Sequence, residues 1–215
     1  MKNNFLKDLC IVLVSYRSKK NIIKTIPLID KEISIILIEN SMDWSIKEEF
    51  EKKYKNLKVI IPKSNSGQGA AFNLGAKKSN KKYLLFMDID IHIKKSQIID
   101  LMRLAKKIKV FGVLTPKVKN HNYKHSIIKK INKNLFEISF NHGCVMLVKK
   151  SIFKKVNYFD ENIFLYFEES DLFTKCIKAN FPLYMYNKVK ISNPISKSID
   201  RKYKEKYIVV RNWHY

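Results

Sequence analysis

Arginine is nearly missing from this chain. Only four of its 43 basic residues are arginine (Arg17, Arg103, Arg201 and Arg211), although just 19 acidic residues leave the formal net charge at +24. Such a surplus invites a nucleic-acid reading. The residue that forks onto phosphates and base edges is, however, the scarce one. The lysines fall in scattered pairs, such as Lys52-Lys53 and Lys106-Lys107, on what read as polar helix faces. Nucleic acid is therefore not the expected partner, whereas peripheral contact with an anionic membrane, or a phosphorylated substrate, suits such a surface. Cysteine is scarce too. Cys10, Cys144 and Cys176 cannot pair as a set and show no Cys-x-x-Cys spacing, which argues against a disulfide frame or zinc and for a reducing compartment. No apolar run approaches the roughly 18 residues of a membrane span, and residues 1–8 hold no signal-peptide core. The expected location is cytoplasmic. Neither a repeat nor a linker interrupts the 215 residues, so a single domain over 1–215 is the economical reading.

Hydrophobic content of 46% with 12% aromatics excludes a disordered or fibrous class. A continuous apolar run at 9–14, with further largely apolar runs at 33–38, 57–61 and 83–87, suits strands covered on both faces. Helical patterns separate them: Ile22, Ile23, Ile26 and Ile29, broken by Pro27; then 44–54; then the small-residue stretch from Ala70 to Ala76. This alternation predicts an α/β class, with right-handed crossovers and a mostly parallel sheet flanked by helices. Ligands in such sheets bind beyond the carboxyl ends of the strands. The polar strand ends Ser15-Tyr16-Arg17, Glu39-Asn40 and Asp88-x-Asp90 should therefore converge.

The rest of the chain reads as a smaller β/α half over 93–198. A helix is expected at 98–108, a strand at 110–114 stopping before Thr115-Pro116, and an exposed polar hairpin or loop at 119–134. Strands follow at 135–140 and 144–148, flanking Asn141-His142-Gly143. Ser151 should cap a short helix, another helix should run to about Ala179, and two short extended pieces follow at 183–186 and 188–192. Residues 199–215 form a basic, aromatic helix candidate.

The most informative stretch is Leu84-Leu85-Phe86-Met87-Asp88-Ile89-Asp90. Alternate side chains of an extended chain point the same way, so Asp88 and Asp90 can share one face at a strand's end. A hard divalent cation with phosphate oxygens would relieve their repulsion; a solvated strand end leading into a turn is the plainer alternative.

Taken together, the elements resemble the inverting nucleotide-sugar glycosyltransferases of family two, with the GT-A fold, in particular the rhamnosyltransferase-like branch. The parts occur in family order: Ile11-Val12-Leu13-Val14-Ser15-Tyr16, Leu37-Ile38-Glu39-Asn40-Ser41-Met42-Asp43, Asn65-Ser66-Gly67-Gln68-Gly69 with Asn73, Asp88-Ile89-Asp90, His142-Gly143, Phe159-Asp160-Glu161, Glu168-Glu169-Ser170-Asp171, and Arg211-Asn212. The resemblance implies that residues 1–92 bind the nucleotide-sugar donor through Ser15, Tyr16, Arg17, Glu39, Asn65, Gly67, Asn73 and Asp88. It implies a manganese or magnesium ion held by Asp90, Asp88 and the residue at 193. It implies an acceptor side carrying His142, Gly143 and Asp171, and a catalytic base at Glu169, with Glu168 as the neighbouring candidate.

The chemistry fits these residue types. A Lewis acid neutralises charge building on a departing diphosphate, and inversion needs a carboxylate to take the acceptor hydroxyl's proton. Inversion of a UDP- or dTDP-linked sugar onto a saccharide or lipid-linked saccharide, in cell-surface polysaccharide synthesis, is the function so implied, at the cytoplasmic face of the inner membrane. The alternative is a non-catalytic or weakly active nucleotide-sugar-binding partner of a larger synthase. Two departures favour that alternative. Glu169 is one methylene longer than the usual aspartate. Asn193 stands in place of a metal-completing histidine and offers a hard cation only a carbonyl oxygen. Other assignments stay open at this stage. Tyr16 either caps a nucleobase or is a core aromatic, Asn73 and Gly75 either touch phosphate or pack a helix, and His142 either meets the acceptor or is incidental. His92 reads as a surface residue.

Overall fold

A computed structural model describes residues 5–119 and 121–192. The chain enters through a single 3-10 turn, Leu6–Asp8, into β1 (Leu9–Ser15). Helix α1 (Lys19–Thr25) gives way to a 3-10 turn at Ile26–Leu28, because Pro27 cannot continue an α-helical hydrogen-bond ladder. Strand β2 (Ser34–Glu39) is followed by α2 (Trp44–Lys53), whose N-cap Asp43 accepts from the Ser45 amide at 3.0 Å. Strand β3 (Leu57–Ile60), helix α3 (Gln68–Lys78) and strand β4 (Tyr83–Asp88) complete the first half. These strands pair in parallel in the order β3-β2-β1-β4, as the alternating pattern predicts.

Both faces of this sheet are covered. Ile11, Leu13, Leu85 and Met87 point into one apolar layer, together with Ile46 and Phe50 of α2 and Ile98, Leu101 and Met102 of α4 (Lys95–Lys107). Cys10, Val12, Leu84 and Phe86 point into the other, against Ala71, Phe72 and Ala76 of α3. Helix α3 can lie this close because Gly75 meets Val12: a Cβ there would come 2.3 Å from Val12 Cγ1.

The second half extends the same sheet. Beyond β4 the order runs β8-β5-β9-β7-β6, with β5 (Val113–Val118), β6 (Ile127–Lys130), β7 (Leu135–Ile138), β8 (Val145–Lys149) and β9 (Leu183–Ile191). Strand β8 runs antiparallel to β4, β5 and β9 are parallel, and β6, β7 and β9 form an antiparallel edge. Helices α5 (Lys150–Lys155) and α6 (Glu168–Lys178) pack on the face that already holds α3.

Three expectations need correction here. Strand β5 does not stop before Thr115-Pro116 but passes through them, because the register with β9 shifts between Pro116 and Lys117, an irregularity that tolerates a residue without an amide hydrogen. Ser151 caps nothing: α5 begins at Lys150, directly out of β8, and its cap position carries no side-chain bond. The two extended pieces after residue 182 are one strand, β9. The polar stretch at 119–134 contains the expected hairpin strand, β6. The candidate helix at 199–215 lies outside the described residues.

An aromatic cluster anchors the loop that carries the acidic residues. The Phe86 ring lies 5.0 Å from Phe72, 5.0 Å from Phe153 and 5.3 Å from Phe159, centroid to centroid. Phe159 thereby ties the segment before α6 to the centre of the sheet.

Candidate active site

Parallel register brings the polar strand ends together. Ser15 pairs with Glu39, and Val14 with Asp88, so β1, β2 and β4 finish on one edge. Ser15 and Glu39 are buried. Glu39 Oε1 accepts from the Ser41 amide at 2.9 Å and from the Ser41 hydroxyl, while Glu39 Oε2, Ser15 Oγ and Asn40 Oδ1 have no hydrogen-bond partner among the described residues. Buried polar atoms left open in this way are rare in folded chains and mark places where a ligand or water belongs. Tyr16 is 47% exposed, which removes the core-aromatic alternative, and the Arg17 guanidinium carbon stands 5.3 Å from its ring centroid.

The glycine-punctuated segment serves the same edge from below. Asn65 Oδ1 accepts from the Gly67 amide at 3.1 Å. Gly67 has φ +80°, and a Cβ there would sit 2.1 Å from the Phe164 carbonyl oxygen, so only glycine fits. Gln68 then donates its amide to Phe164 O at 2.9 Å and its side-chain Nε2 to Asp88 Oδ1 at 3.0 Å. Asn73 makes the packing contacts that were one of the two readings open for it. It is buried, donates Nδ2 to Phe159 O and Glu161 Oε1 at 3.0 Å each, and accepts the Phe159 amide at 3.0 Å. Both Nδ2 hydrogens are committed to these partners, and Asn73 braces α3 against the 159–161 turn.

Asp88 and Asp90 are both half-buried, between the fully buried Met87 and Ile91. The Asp88 amide donates to Cys144 O at 3.0 Å. Burial, together with the charges of Asp88 and Asp90, pushes the Cys144 thiol up to about 12, so it stays protonated beneath the pair. Helix α6 meets them from the other side. Glu168 is buried, its Oε2 lacks a hydrogen-bond partner among the described residues, and its Cβ approaches the position a Gly69 side chain would take, 3.4 Å away. Burial first, then the charges of Glu169 and Asp88, raise its carboxyl to about 8. Glu169 is raised as well, chiefly by burial. Its side chain lies against Gly143, where a Cβ would come 2.8 Å from Glu169 Cβ. Asp171, by contrast, pairs with Lys175 at 2.6 Å one helical turn on.

Among the described residues, no ion pair reaches Asp90, Glu168 or Glu169. Carboxylates gathered without lysine or arginine are the oxygen-donor set that a hard divalent cation accepts. Among the described residues, no three His, Cys, Asp or Glu side chains are gathered closely enough to hold a metal ion by themselves. A cation would therefore need phosphate oxygens or water alongside Asp88 and Asp90, as magnesium-type sites commonly do. Asn193 lies outside the described residues.

His142 Nε2 stands 3.0 Å from His121 Nδ1, and the two rings cross at 73°. Burial, then His121, lowers the His142 ring below its ordinary value. Asn141, fully buried, ties this corner down: it accepts from Tyr123 OH at 2.9 Å and from the His142 amide at 2.8 Å, and donates to Thr115 Oγ1 at 2.6 Å. His92 is exposed, as expected. Gln68, Cys144, Asn141 and His121 were not singled out as site residues from the sequence. A polar residue between two glycines at a helix start was a usable signal for Gln68. Nothing in the polar stretch around His121 marked it.

Residues 10–157 match the profile of Glycosyl transferase family 2. The chain belongs to that family. Among curated relatives, this family-two chain is 21% identical over 202 residues to the low-salt glycan biosynthesis hexosyltransferase Agl10 of Haloferax volcanii, covering 84% of the chain and 65% of the relative. Among solved structures it superposes with a TM-score of 0.74 on GalNAc-T7 with UDP, GalNAc and Mn2+ (12% identity, 86% of this chain, 43% of that one). The score is 0.72 for the mannosyltransferase PcManGT of Pyrobaculum calidifontis in complex with GDP-Man and Mn2+ (9% identity, 97% and 64%). The chain thus spans less than two thirds of the length of each. The fold of this family-two chain is the mixed α/β GT-A fold. No described helix is long and apolar enough to cross a membrane.

Proposed function

We propose that this chain is an inverting glycosyltransferase. In this reading it moves a hexose-class sugar, a deoxyhexose such as rhamnose included, from a UDP- or dTDP-linked donor to a saccharide or lipid-linked saccharide during cell-surface glycan synthesis. One observation carries the reading: Gln68 bonds Asp88 at 3.0 Å while the adjacent Gly69 packs against Glu168, so carboxylates from β4 and from the start of α6 share the carboxyl edge of the parallel strands. Family membership and the hexosyltransferase relative support the reaction class.

Asp90 and Asp88 would hold a manganese or magnesium ion with the donor's diphosphate, and the solved structures that bind a nucleotide or nucleotide sugar with Mn2+ support that cation. Such an ion, when bound, neutralises charge on the departing diphosphate. Gln68 fixes the Asp88 carboxylate through its 3.0 Å bond. Tyr16 offers an exposed ring for the nucleobase, and the open Glu39 Oε2 and Ser15 Oγ offer polar contacts to it or to the ribose. Glu169, pinned by Gly143, is the base that takes the acceptor hydroxyl's proton; a raised carboxyl is better matched to that task near neutral pH than an ordinary one. Glu168, whose carboxyl burial also raises, can donate a hydrogen bond beside it while protonated. Gly143 and His142 line the acceptor side. The whole chain works as a single domain at the cytoplasmic face of a membrane.

The deciding experiment compares Glu169→Gln with Glu168→Gln. Replacing Glu169 should leave nucleotide binding intact and lower transfer by about a thousandfold. If Glu168→Gln stops transfer and Glu169→Gln does not, the base is the neighbouring residue. If the unmodified chain binds nucleotide sugar but turns none over with Mn2+ or Mg2+, the chain is a binding partner rather than an enzyme.

A further inference from the structure

Among the described residues, strand β6 sits at the outer edge of the sheet and pairs only with β7. All four of its residues are exposed. Three of the exposed side chains in and just after this strand are aliphatic: Ile128 is 60% exposed, Ile131 44% and Ile127 39%. Lysines surround them, with Lys124, Lys129, Lys130 and Lys133 all exposed, and the sequence from His121 to Asn134 contains no acidic residue. Glu137 of β7 stands opposite Lys129.

The tip is ordered by its own hydrogen bonds. The Ile131 amide donates to Leu135 O at 3.0 Å, Asn132 Oδ1 accepts the Asn134 and Leu135 amides at 2.9 and 3.0 Å, and the Ser139 amide donates to Ser126 O at 2.8 Å. Isoleucines held out in water by a fixed hairpin lose apolar contact that nothing in the described chain returns. Lysines along an edge strand discourage pairing with a second copy, because like charges would face each other.

We propose that this hairpin docks the protein on an anionic phospholipid bilayer, with Ile127, Ile128 and Ile131 entering the headgroup boundary and the four lysines meeting lipid phosphates. Aliphatic side chains rimmed by lysine are the composition that binds such an interface, one part by apolar burial and the other by charge. The location serves the site. Strand β7 leads within a few residues to Asn141-His142-Gly143, and Gly143 touches Glu169. A saccharide whose lipid carrier stays in the bilayer therefore approaches from the side where the acceptor hydroxyl is needed. This inference deepens the lipid-linked acceptor reading and rests on it for its biological sense, though not for its test.

The test is flotation with vesicles of phosphatidylglycerol and phosphatidylcholine, against vesicles of phosphatidylcholine alone. The protein should float with the first and not with the second. Ile128→Ser combined with Ile131→Ser should weaken binding at least about tenfold, and each of Lys129→Gln and Lys130→Gln about fivefold. Unfolding temperature should be unchanged, since all four side chains are exposed. The control is Lys81→Gln with Lys82→Gln, in a basic pocket of about 410 Å³ at the opposite end of β4; it should leave flotation within about twofold. The proposal is overturned by flotation that ignores the isoleucine changes, by equal loss from the control pair, by a solution dimer that Ile128→Ser dissolves, or by RNA binding that the lysine changes abolish and the isoleucine changes do not. Flotation needs no catalysis. A chain that floats without turning over donor would sink the enzyme reading alone, and one that turns over donor without floating would sink this surface alone.

Discussion

Along β1, β2 and β4 the polar groups sit at the ends of neighbouring parallel strands, whereas Glu168 and Glu169 start a helix and reach the same edge by a reversal of the chain. Tyr166 and Phe167, immediately before them, both adopt left-handed backbone, with φ of 64° and 71°. Non-glycine residues in that region cost on the order of 1 kcal/mol each and persist where the surroundings over-determine them. The donor side is thus built by register, which a run of valine and isoleucine specifies cheaply. The acceptor side is built by local strain and close packing against Gly143 and Gly69.

Predictions follow from breaking one side and sparing the other. The largest effect is expected from Asp90→Ala, which should lower donor turnover by about a thousandfold while leaving the unfolding temperature within a few degrees. Turnover that survives would remove the cation from the donor side. Next comes pH. The folded-state carboxyl of Glu168 lies near 8 against an ordinary 4.5, so its contribution to stability is fully present below about pH 4.5 and is lost as pH rises toward 8. Glu168→Gln should flatten that decline, gaining on the order of 3 kcal/mol at the alkaline end. Denaturant melts of both chains across this range, without added metal, read it directly; parallel slopes would mean that Glu168 is better solvated than its burial implies.

Two glycine changes then separate the sides. Gly143→Ala pushes a methyl into Glu169 and should cut transfer about a hundredfold with nucleotide binding unaffected. Gly75→Ala pushes a methyl to 2.3 Å from Val12 Cγ1, far from the acids, and should cost about 2 kcal/mol of stability with per-molecule activity retained. If both changes acted mainly on stability, the contrast between a registered side and a packed side would collapse.

The same contrast explains what could be read from the residues alone. Runs such as Ile11 to Val14 and Leu84 to Met87 are long, β-branched or aliphatic, and bounded by helical patterns, so four strands and their shared edge were legible before any coordinates. Strand β5 was misjudged because a proline usually ends a strand, and only the register shift beside β9 accommodates this one. The pairing of His121 with His142 depends on a hairpin folding back, which no periodicity encodes. Asn73 shows the remaining limit: its place in the glycine segment leaves phosphate contact and helix packing equally open, and only the fold reveals the three hydrogen bonds that tie it to a turn eighty-odd residues away. The choice between Glu168 and Glu169 turns on which carboxylate is buried and which faces Gly143, and adjacent residues of the same type carry no such information in their order.

The position of β8 has a consequence for how the chain comes to be folded. This strand lies between β4 and β5 at the centre of the sheet, yet it is made long after β4. During synthesis the first four strands can assemble while Leu84, Leu85, Phe86 and Met87 still present an open backbone edge. Such an edge is sticky, and closing it requires a non-local pairing that forms slowly. The interval between the emergence of Asp88 and of Val145 is therefore when this protein is most exposed to misassembly, and when a chaperone has most to do.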